Sequence, residues 1–139
     1  MEWVESQRAI ATLHSFRFFG LVFILPGVIG PNLPASFADY GDFATGILAI
    51  LALLTVRIRP LFSLFVIAFN VVGAADIIID YYHGNQVCLA AVVGQLGATY
   101  AIPIIYVPAL MITHIVAFYL LVRPQAKAAR VLAGDGAAC

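Results

Sequence analysis

The sequence predicts an all-α integral membrane protein, a four-helix transmembrane bundle with both termini in the cytoplasm. Three observations predict it: the composition, four long apolar segments, and the placement of the basic residues. Hydrophobic residues make up 63% of the 139-residue chain and charged residues only 10%, whereas a soluble domain has about 25% charged residues. So few charges cannot cover a water-facing surface. We therefore expect one transmembrane domain, residues 1–139, with the lipid bilayer as its main partner.

Four segments approach the length of about 20 mostly apolar residues that a spanning helix needs. The second segment is short and predicts a span that tilts little or thins the bilayer. The predicted spans are residues 12–30, 42–56, 61–80 and 100–122.

The connecting segments carry turn-forming residues. An interfacial helix is expected to start near Glu2 and lead into the first span. Two prolines and two glycines mark residues 30–42 as a loop, and RIRP at 57–60 predicts a tight turn. A short interfacial helix is expected at 86–97, and a tail at 123–139.

The basic residues set the predicted orientation. None lies in the first or third loop; they fall at the N-terminus, in the second loop or at the C-terminus: Arg8, Arg17, Arg57, Arg59, Arg123, Lys127 and Arg130. Because cytoplasmic loops carry an excess of Lys and Arg, both termini are expected in the cytoplasm. The predicted location is a bacterial inner (plasma) membrane. The net charge of zero provides no long-range attraction for nucleic acid.

Acidic side chains collect at the outer end of the predicted bundle. Asp76, Asp80 and His83 share one face of the third span, and Asp42 begins the second span on the same side. Such a pocket suits a divalent or organic cation, or proton transfer by a buried carboxylate. In the alternative interpretation, Asp42 is an N-cap, and Asp80 and His83 are solvated helix ends. Asp76 needs an interior partner, because an acidic residue in the apolar zone costs about 2.5–3.5 kcal/mol on insertion scales.

Other polar residues lie within the predicted spans. Arg17 is placed where its long side chain can extend to the inner headgroups. Asn70, near the middle of the third span, is expected to donate an interhelical hydrogen bond. His14 and His114 lie at similar depth on different spans. They are candidate axial ligands of a haem, or ordinary partners of a backbone or hydroxyl group.

Soluble-enzyme motifs are absent: the chain has no GxSxG, P-loop, GxGxxG or HExxH sequence. No catalytic residue is assigned, and catalysis by this chain alone is the least favoured function. Cys88 and Cys139 have no metal-ligand spacing. The sequence assigns no particular metal or cofactor.

A pattern in the first two spans resembles uncharacterised bacterial multi-pass membrane proteins. Its elements are Arg17-x-x-Gly20, then LPxxFA at 33–38, then Gly41-Asp42. This resemblance implies an inner-membrane protein and makes Asp42 a candidate site residue. The first span is also loosely similar to DoxX-type four-helix proteins, which are associated with membrane redox complexes. The acidic residue expected in the second DoxX span is missing from ATGILAILALL at 44–54.

Three functional hypotheses follow. The first is a small binding or accessory protein whose outer pocket (Asp42, Asp76, Asp80, His83) holds a cation, lipid headgroup or small ligand, acting as a homo-oligomer or within a larger membrane complex. The second is a homodimeric transporter or proton-coupled carrier that uses Asp76 as its titrating group. The third is a redox subunit that binds haem through His14 and His114, or quinone near His114.

Overall fold

The computed structural model describes residues 3–25, 36–86 and 88–123, and nearly all of them are helical, with no strand among them. This confirms the all-α prediction. In chain order the helices are α1 (Trp3–Ser15), which continues as a 3₁₀ helix (Phe16–Ile24), α2 (Ser36–Leu54), α3 (Arg59–Gln86), a 3₁₀ turn (Leu89–Val92), α4 (Val93–Leu96), a second 3₁₀ turn (Gly97–Tyr100), a π-helical segment (Ile102–Tyr106) and α5 (Val107–Val122).

Two of these helical stretches, Arg59–Gln86 and Ile102–Val122, are long and apolar enough to cross a membrane. A third, Tyr40–Leu54, is apolar but shorter. By length and composition alone, the described residues therefore contain two candidate spans.

The first helix runs from Trp3 to Ile24, and the expected interfacial start leads into the first span without a break. Two other helix boundaries differ from the predicted spans. Helix α2 begins at Ser36, six residues before the predicted start, so Asp42 is inside the helix and is not an N-cap. Helix α3 continues to Gln86, six residues beyond the predicted end of the third span at Asp80.

Local chemistry explains the described turn between α2 and α3. The Thr55 hydroxyl donates to the carbonyl of Leu51 at 2.7 Å, which satisfies one carbonyl at the end of α2. Ile58 N–H then donates to the Thr55 carbonyl at 2.8 Å and closes the turn. Pro60 occupies the first turn of α3, where a missing N–H is tolerated.

The helices contact one another in a ring. Helix α1 packs on α2 and α5, α2 also packs on α3, and α3 packs on α5. The 3₁₀ helix Phe16–Ile24 continues the contact of α1 with α2. The helix from Trp3 to Ile24, together with α2, α3 and α5, thus surrounds a shared interior.

An apolar cluster fills one end of this interior. Phe62, Val66 and Phe69 of α3 are fully buried among small side chains of the other helices. Alanines at 11, 49, 52 and 117 let the helix backbones approach closely. The Trp3 ring meets the Phe62 ring edge to face with centroids 5.7 Å apart.

The rest of the interior is polar, and much of the exterior is aliphatic. The buried polar residues are Gln7, His14, Arg17, Thr45, Asn70, Asp76 and His114. Large aliphatic side chains are exposed on α3 and α5, including Leu64, Ile67, Val71, Ile78, Ile112 and Ile115. In soluble proteins Arg and Asp are almost never fully buried, and large apolar patches are seldom exposed.

Candidate functional site: a buried arginine between two aspartates

The 3₁₀ helix sets the direction of the first site residue, Arg17. In a 3₁₀ helix, side chains three residues apart lie directly above one another. His14, just before this segment, and Arg17 and Gly20 within it are all buried on one face. The overwound helix therefore presents an imidazole, a guanidinium and a glycine in a column toward α2 and α3.

Arg17 binds two aspartates from two different helices. Its Nε donates to Oδ1 of Asp42 on α2 at 2.5 Å, and its Nη2 donates to Oδ2 of Asp76 on α3 at 2.6 Å. Its Nη1 donates to the Gly73 carbonyl at 3.3 Å. The Arg17 side chain is 1% exposed, and those of Asp42 and Asp76 are 15% and 9% exposed. We call these three side chains the triad.

Glycines make room for the triad. A Cβ on Gly20 would collide with the Asp42 carboxylate, and a Cβ on Gly41 would collide with the Asp76 carboxylate. Both glycines therefore let a helix backbone lie against a carboxylate where any side chain would displace it. The aspartates are held between a guanidinium on one side and bare backbone on the other.

The triad contains one more anion than cation. When both carboxylates are ionised, Arg17 neutralises only one, and the group carries a net charge of −1. An unbalanced charge is costly in a medium of low dielectric constant. Binding of one proton or one monovalent cation would neutralise the group, so the triad can act chemically as a site for a single positive charge.

A layer of histidines lies beside the triad. The rings of His14 and His114 are stacked, with centroids 4.1 Å apart. His114 Nδ1 is 2.9 Å from Oδ1 of Asn70, and His14 Nε2 is 2.9 Å from the Thr113 hydroxyl. Both histidines are at most 1% exposed.

Gly73 joins the two layers. A Cβ placed on Gly73 would lie 2.7 Å from Arg17 Nη1 and 2.7 Å from His114 Nε2. The guanidinium and the His114 ring therefore approach the same bare stretch of α3. A further polar contact, from Gln7 Nε2 to the Ala117 carbonyl at 3.2 Å, lies near the start of α1. Together these groups form a polar column through the interior.

The predicted pocket residues do not all join the triad. Asp42 and Asp76 meet around Arg17. Asp80 and His83 lie one and about two turns further along α3, and both are partly buried. His83 contacts the Tyr82 ring, with centroids 5.6 Å apart. The acidic cluster is thus divided between an interior pair and the last turns of α3.

Two expectations for interior polar residues need correction. Arg17 does not extend to headgroups, because two carboxylates in the interior bind its guanidinium. Asn70 does make an interhelical hydrogen bond, but its oxygen accepts from His114 while its amide nitrogen donates to Val66 of its own helix at 2.7 Å.

The geometry of the histidine pair does not fit a haem between the rings. Two axial imidazoles with metal–nitrogen bonds of about 2 Å hold their rings about 6 Å apart, on opposite faces of the porphyrin. The rings of His14 and His114 are stacked at 4.1 Å. Within residues 3–25, 36–86 and 88–123, no group of three or more His, Cys, Asp or Glu side chains is placed to hold a metal ion.

Comparison with known proteins identifies a family that covers most of the chain. The family model described as a domain of unknown function (DUF8737) matches residues 1–122. The chain belongs to the DUF8737 family. No curated protein and no solved structure matches the chain. The matched residues include the whole triad and the histidine layer, so these features lie inside the DUF8737 domain.

Sequence reasoning missed the partner of the aspartates. The signal was present in the spacing Arg17-x-x-Gly20 and in the pair Gly41-Asp42. In the structure, Arg17 binds Asp42, Gly20 packs on Asp42, and Gly41 packs on Asp76. These elements of the DUF8737 sequence therefore meet at one place, although they are separated along the chain.

Proposed function

We propose that this DUF8737 protein is a small multi-pass inner-membrane protein that works as a proton-coupled carrier, with Asp76 as the proton-binding group. The observation that carries the proposal is the buried triad, in which one guanidinium holds two carboxylates. An interior polar column with an aliphatic exterior suits a bilayer, where polar groups face the bundle interior. The proposal includes four membrane spans. Two are the candidate spans Arg59–Gln86 and Ile102–Val122, and the other two are the helix from Trp3 and helix α2.

The charge of the triad supports proton coupling. Neutralising the excess negative charge requires one positive charge. A proton can bond directly to a carboxylate oxygen, whereas a metal or organic cation needs a cavity to hold it. Proton uptake by Asp76 would leave Arg17 paired with Asp42 and would weaken the contact between the 3₁₀ helix and α3. A change of protonation would therefore be coupled to a change in helix packing.

A homodimer is part of the proposal. Four short helices around a packed interior leave little room for a substrate pathway within one copy. A second copy could provide the other wall of the pathway, which agrees with the homodimer expected from the sequence.

The direct test follows protons. Purified protein is reconstituted into liposomes containing a pH-sensitive dye, and a potassium gradient with valinomycin imposes a membrane potential. We expect faster proton entry than in protein-free liposomes. Asp76→Asn should abolish the difference, because an amide cannot take up and release a proton. Asp80→Asn, one turn away on the same helix, is the matched control and should retain the flux.

An infrared titration in bilayers tests proton binding when flux needs an unidentified substrate. Lowering the pH should produce the carbonyl stretch of a protonated carboxyl group, and Asp76→Asn should remove this band while Asp80→Asn retains it. Absence of both the flux and the Asp76-dependent band from folded wild-type protein would end the carrier proposal.

A binding or accessory function is the second candidate. The observation that supports it is that the triad connects the 3₁₀ helix, α2 and α3 within one copy. Such a connection could serve simply to stabilise the fold. Native mass spectrometry from mild detergent separates the two candidates. A stable complex with a lipid, quinone or partner subunit would favour the accessory function, whereas a bare dimer would favour the carrier.

A further inference from the structure

Two buried histidines beside the triad have defined tautomers. The Asn70 amide nitrogen donates to the Val66 carbonyl, so the Asn70 oxygen faces His114. Because an amide oxygen only accepts, Nδ1 of His114 carries the proton. Its other nitrogen, Nε2, is then a bare acceptor.

The same reasoning applies to His14. The Thr113 hydroxyl uses its proton on the Leu110 carbonyl at 2.7 Å. It must therefore accept from His14, so Nε2 of His14 carries the proton. Nδ1 of His14 is the bare acceptor on that ring.

Both bare nitrogens are buried, and neither has a hydrogen-bond partner within the described ranges 3–25, 36–86 and 88–123. The Thr45 hydroxyl, one turn from Asp42 on α2, is also buried without a hydrogen-bond partner among these residues. Leaving a buried acceptor unpaired costs about 1–3 kcal/mol. Two such nitrogens on stacked rings are therefore suited to accept from a water molecule, and each can hold an added proton only transiently, because burial disfavours the charged imidazolium.

The triad adjoins this pair through Gly73. His114 Nε2 and Arg17 Nη1 approach the same point on α3, and Arg17 holds Asp76 through Nη2. A proton on His114 would lie beside a guanidinium and be repelled by it, which favours onward transfer to a carboxylate. The charged group that acts on both histidines is Arg17 from the 3₁₀ helix. Arg17 in turn binds Asp42 from α2 and Asp76 from α3, and Tyr106, from the segment before α5, lies near Arg17 and Asp42.

We propose that His14 and His114 form a proton relay between the cytoplasmic end of the bundle and Asp76, an inference that rests on the proposed carrier function. A proton forms an N–H bond at Nδ1 of His14, moves to Nε2 of His114 directly or through one water, and then binds the Asp76 carboxylate. At each step the nitrogen that releases the proton regains its lone pair. A water between the rings would accept one proton and release another, so it would end unchanged.

Proton entry into liposomes tests the relay with His14→Gln and His114→Gln. A positioned proton-transfer group contributes about 100-fold or more to a rate, so each variant should slow entry at least about tenfold. His83→Gln, near the other end of α3, is the matched control and should retain the wild-type rate. The infrared band of protonated Asp76 should persist in both relay variants, since the proton site itself is unchanged.

The outcomes separate the relay from the carrier. Unchanged flux in both glutamine variants overturns the relay and leaves the carrier standing. Absence of both the proton flux and the Asp76 band from the wild type overturns both the relay and the carrier. If a glutamine variant does not fold, nitrogen-15 spectra of histidine-labelled wild type in bilayers decide. The relay requires two neutral rings of opposite tautomer, with polarisation transferred from water to at least Nδ1 of His14, where the proton enters. Absence of that transfer overturns the relay.

Discussion

At the scale of single residues, Arg17 has the largest expected effect on stability. Its guanidinium is buried and bonded to two carboxylates and one carbonyl. A buried ion pair contributes little relative to a well-packed apolar group, but removing one member leaves a charge buried without compensation. Two aspartates bind Arg17, so its loss leaves two buried carboxylates without a charged partner.

We therefore predict that Arg17→Met lowers the free energy of unfolding by about 3–5 kcal/mol. Denaturation by increasing SDS in mixed micelles, followed by circular dichroism, measures the change. Arg8→Met on the same helix is the matched control, because Arg8 is exposed, and it should change the free energy by less than about 0.5 kcal/mol.

A triple variant checks the electrostatic cause. Arg17→Met combined with Asp42→Asn and Asp76→Asn removes all three charges, so much of the lost stability should return. If the triple variant is as unstable as Arg17→Met alone, packing of the arginine stem rather than charge pairing explains the loss.

At the scale of helices, two irregular segments flank the triad. The 3₁₀ helix Phe16–Ile24 is nine residues long, although runs beyond three or four residues are uncommon. The π-helical segment Ile102–Tyr106 contains Pro103, whose missing N–H interrupts the hydrogen-bond ladder. Tyr106 then reaches back across the bundle, with its hydroxyl 3.5 Å from the Leu13 carbonyl. Both segments orient side chains that a regular α-helix would direct elsewhere.

Close helix packing at the triad depends on glycine. We predict that Gly41→Ala lowers the free energy of unfolding by about 1–3 kcal/mol, because the new methyl group collides with the Asp76 carboxylate. The measurement is the same SDS titration, combined with the infrared band of Asp76, which should shift as its environment changes.

Gly94→Ala is the control for glycine replacement. A Cβ at Gly94 would meet nothing within 4 Å, so the variant should be neutral or slightly stabilising, as expected for Gly→Ala in an exposed helical position. Equal losses at both positions would show that general helix propensity, not the contact with Asp76, sets the cost.

At the scale of the whole molecule, the charge distribution predicts the orientation. Of the five described arginines, four are exposed at one end of the helices or on α1, and only Arg17 is buried. The segment between α3 and α5 contains no Lys or Arg. Positive-inside bias therefore predicts that this segment, with Cys88, lies on the outer side of the membrane.

Cysteine labelling in intact spheroplasts tests this orientation. Cys88 is a free, exposed thiol, so with Cys139→Ser in place it should react with a membrane-impermeant maleimide added from outside. Cys139, tested in a Cys88→Ser variant, should react only after the membrane is permeabilised. External labelling of Cys139 without permeabilisation would reverse the predicted orientation, and labelling of both thiols would argue against a membrane-spanning chain.

The sequence by itself determined the helical class, because long apolar segments with few charges and well-placed glycines and prolines permit little else. It also predicted a turn at 57–60, close to the observed turn at 55–58, and singled out Asp76, Asn70 and His114 as polar residues within apolar segments, since such a residue requires a partner. It could not name that partner, because hydropathy measures how costly a residue is to bury but not which residue faces it.

Only the tertiary structure decided that Arg17 turns inward to Asp42 and Asp76. A long side chain near a helix end can reach headgroups or the interior with similar local energy. The choice depends on the overwound 3₁₀ helix and on the missing Cβ atoms of Gly20 and Gly41. These are properties of three segments packed together, and no window of the sequence contains all of them.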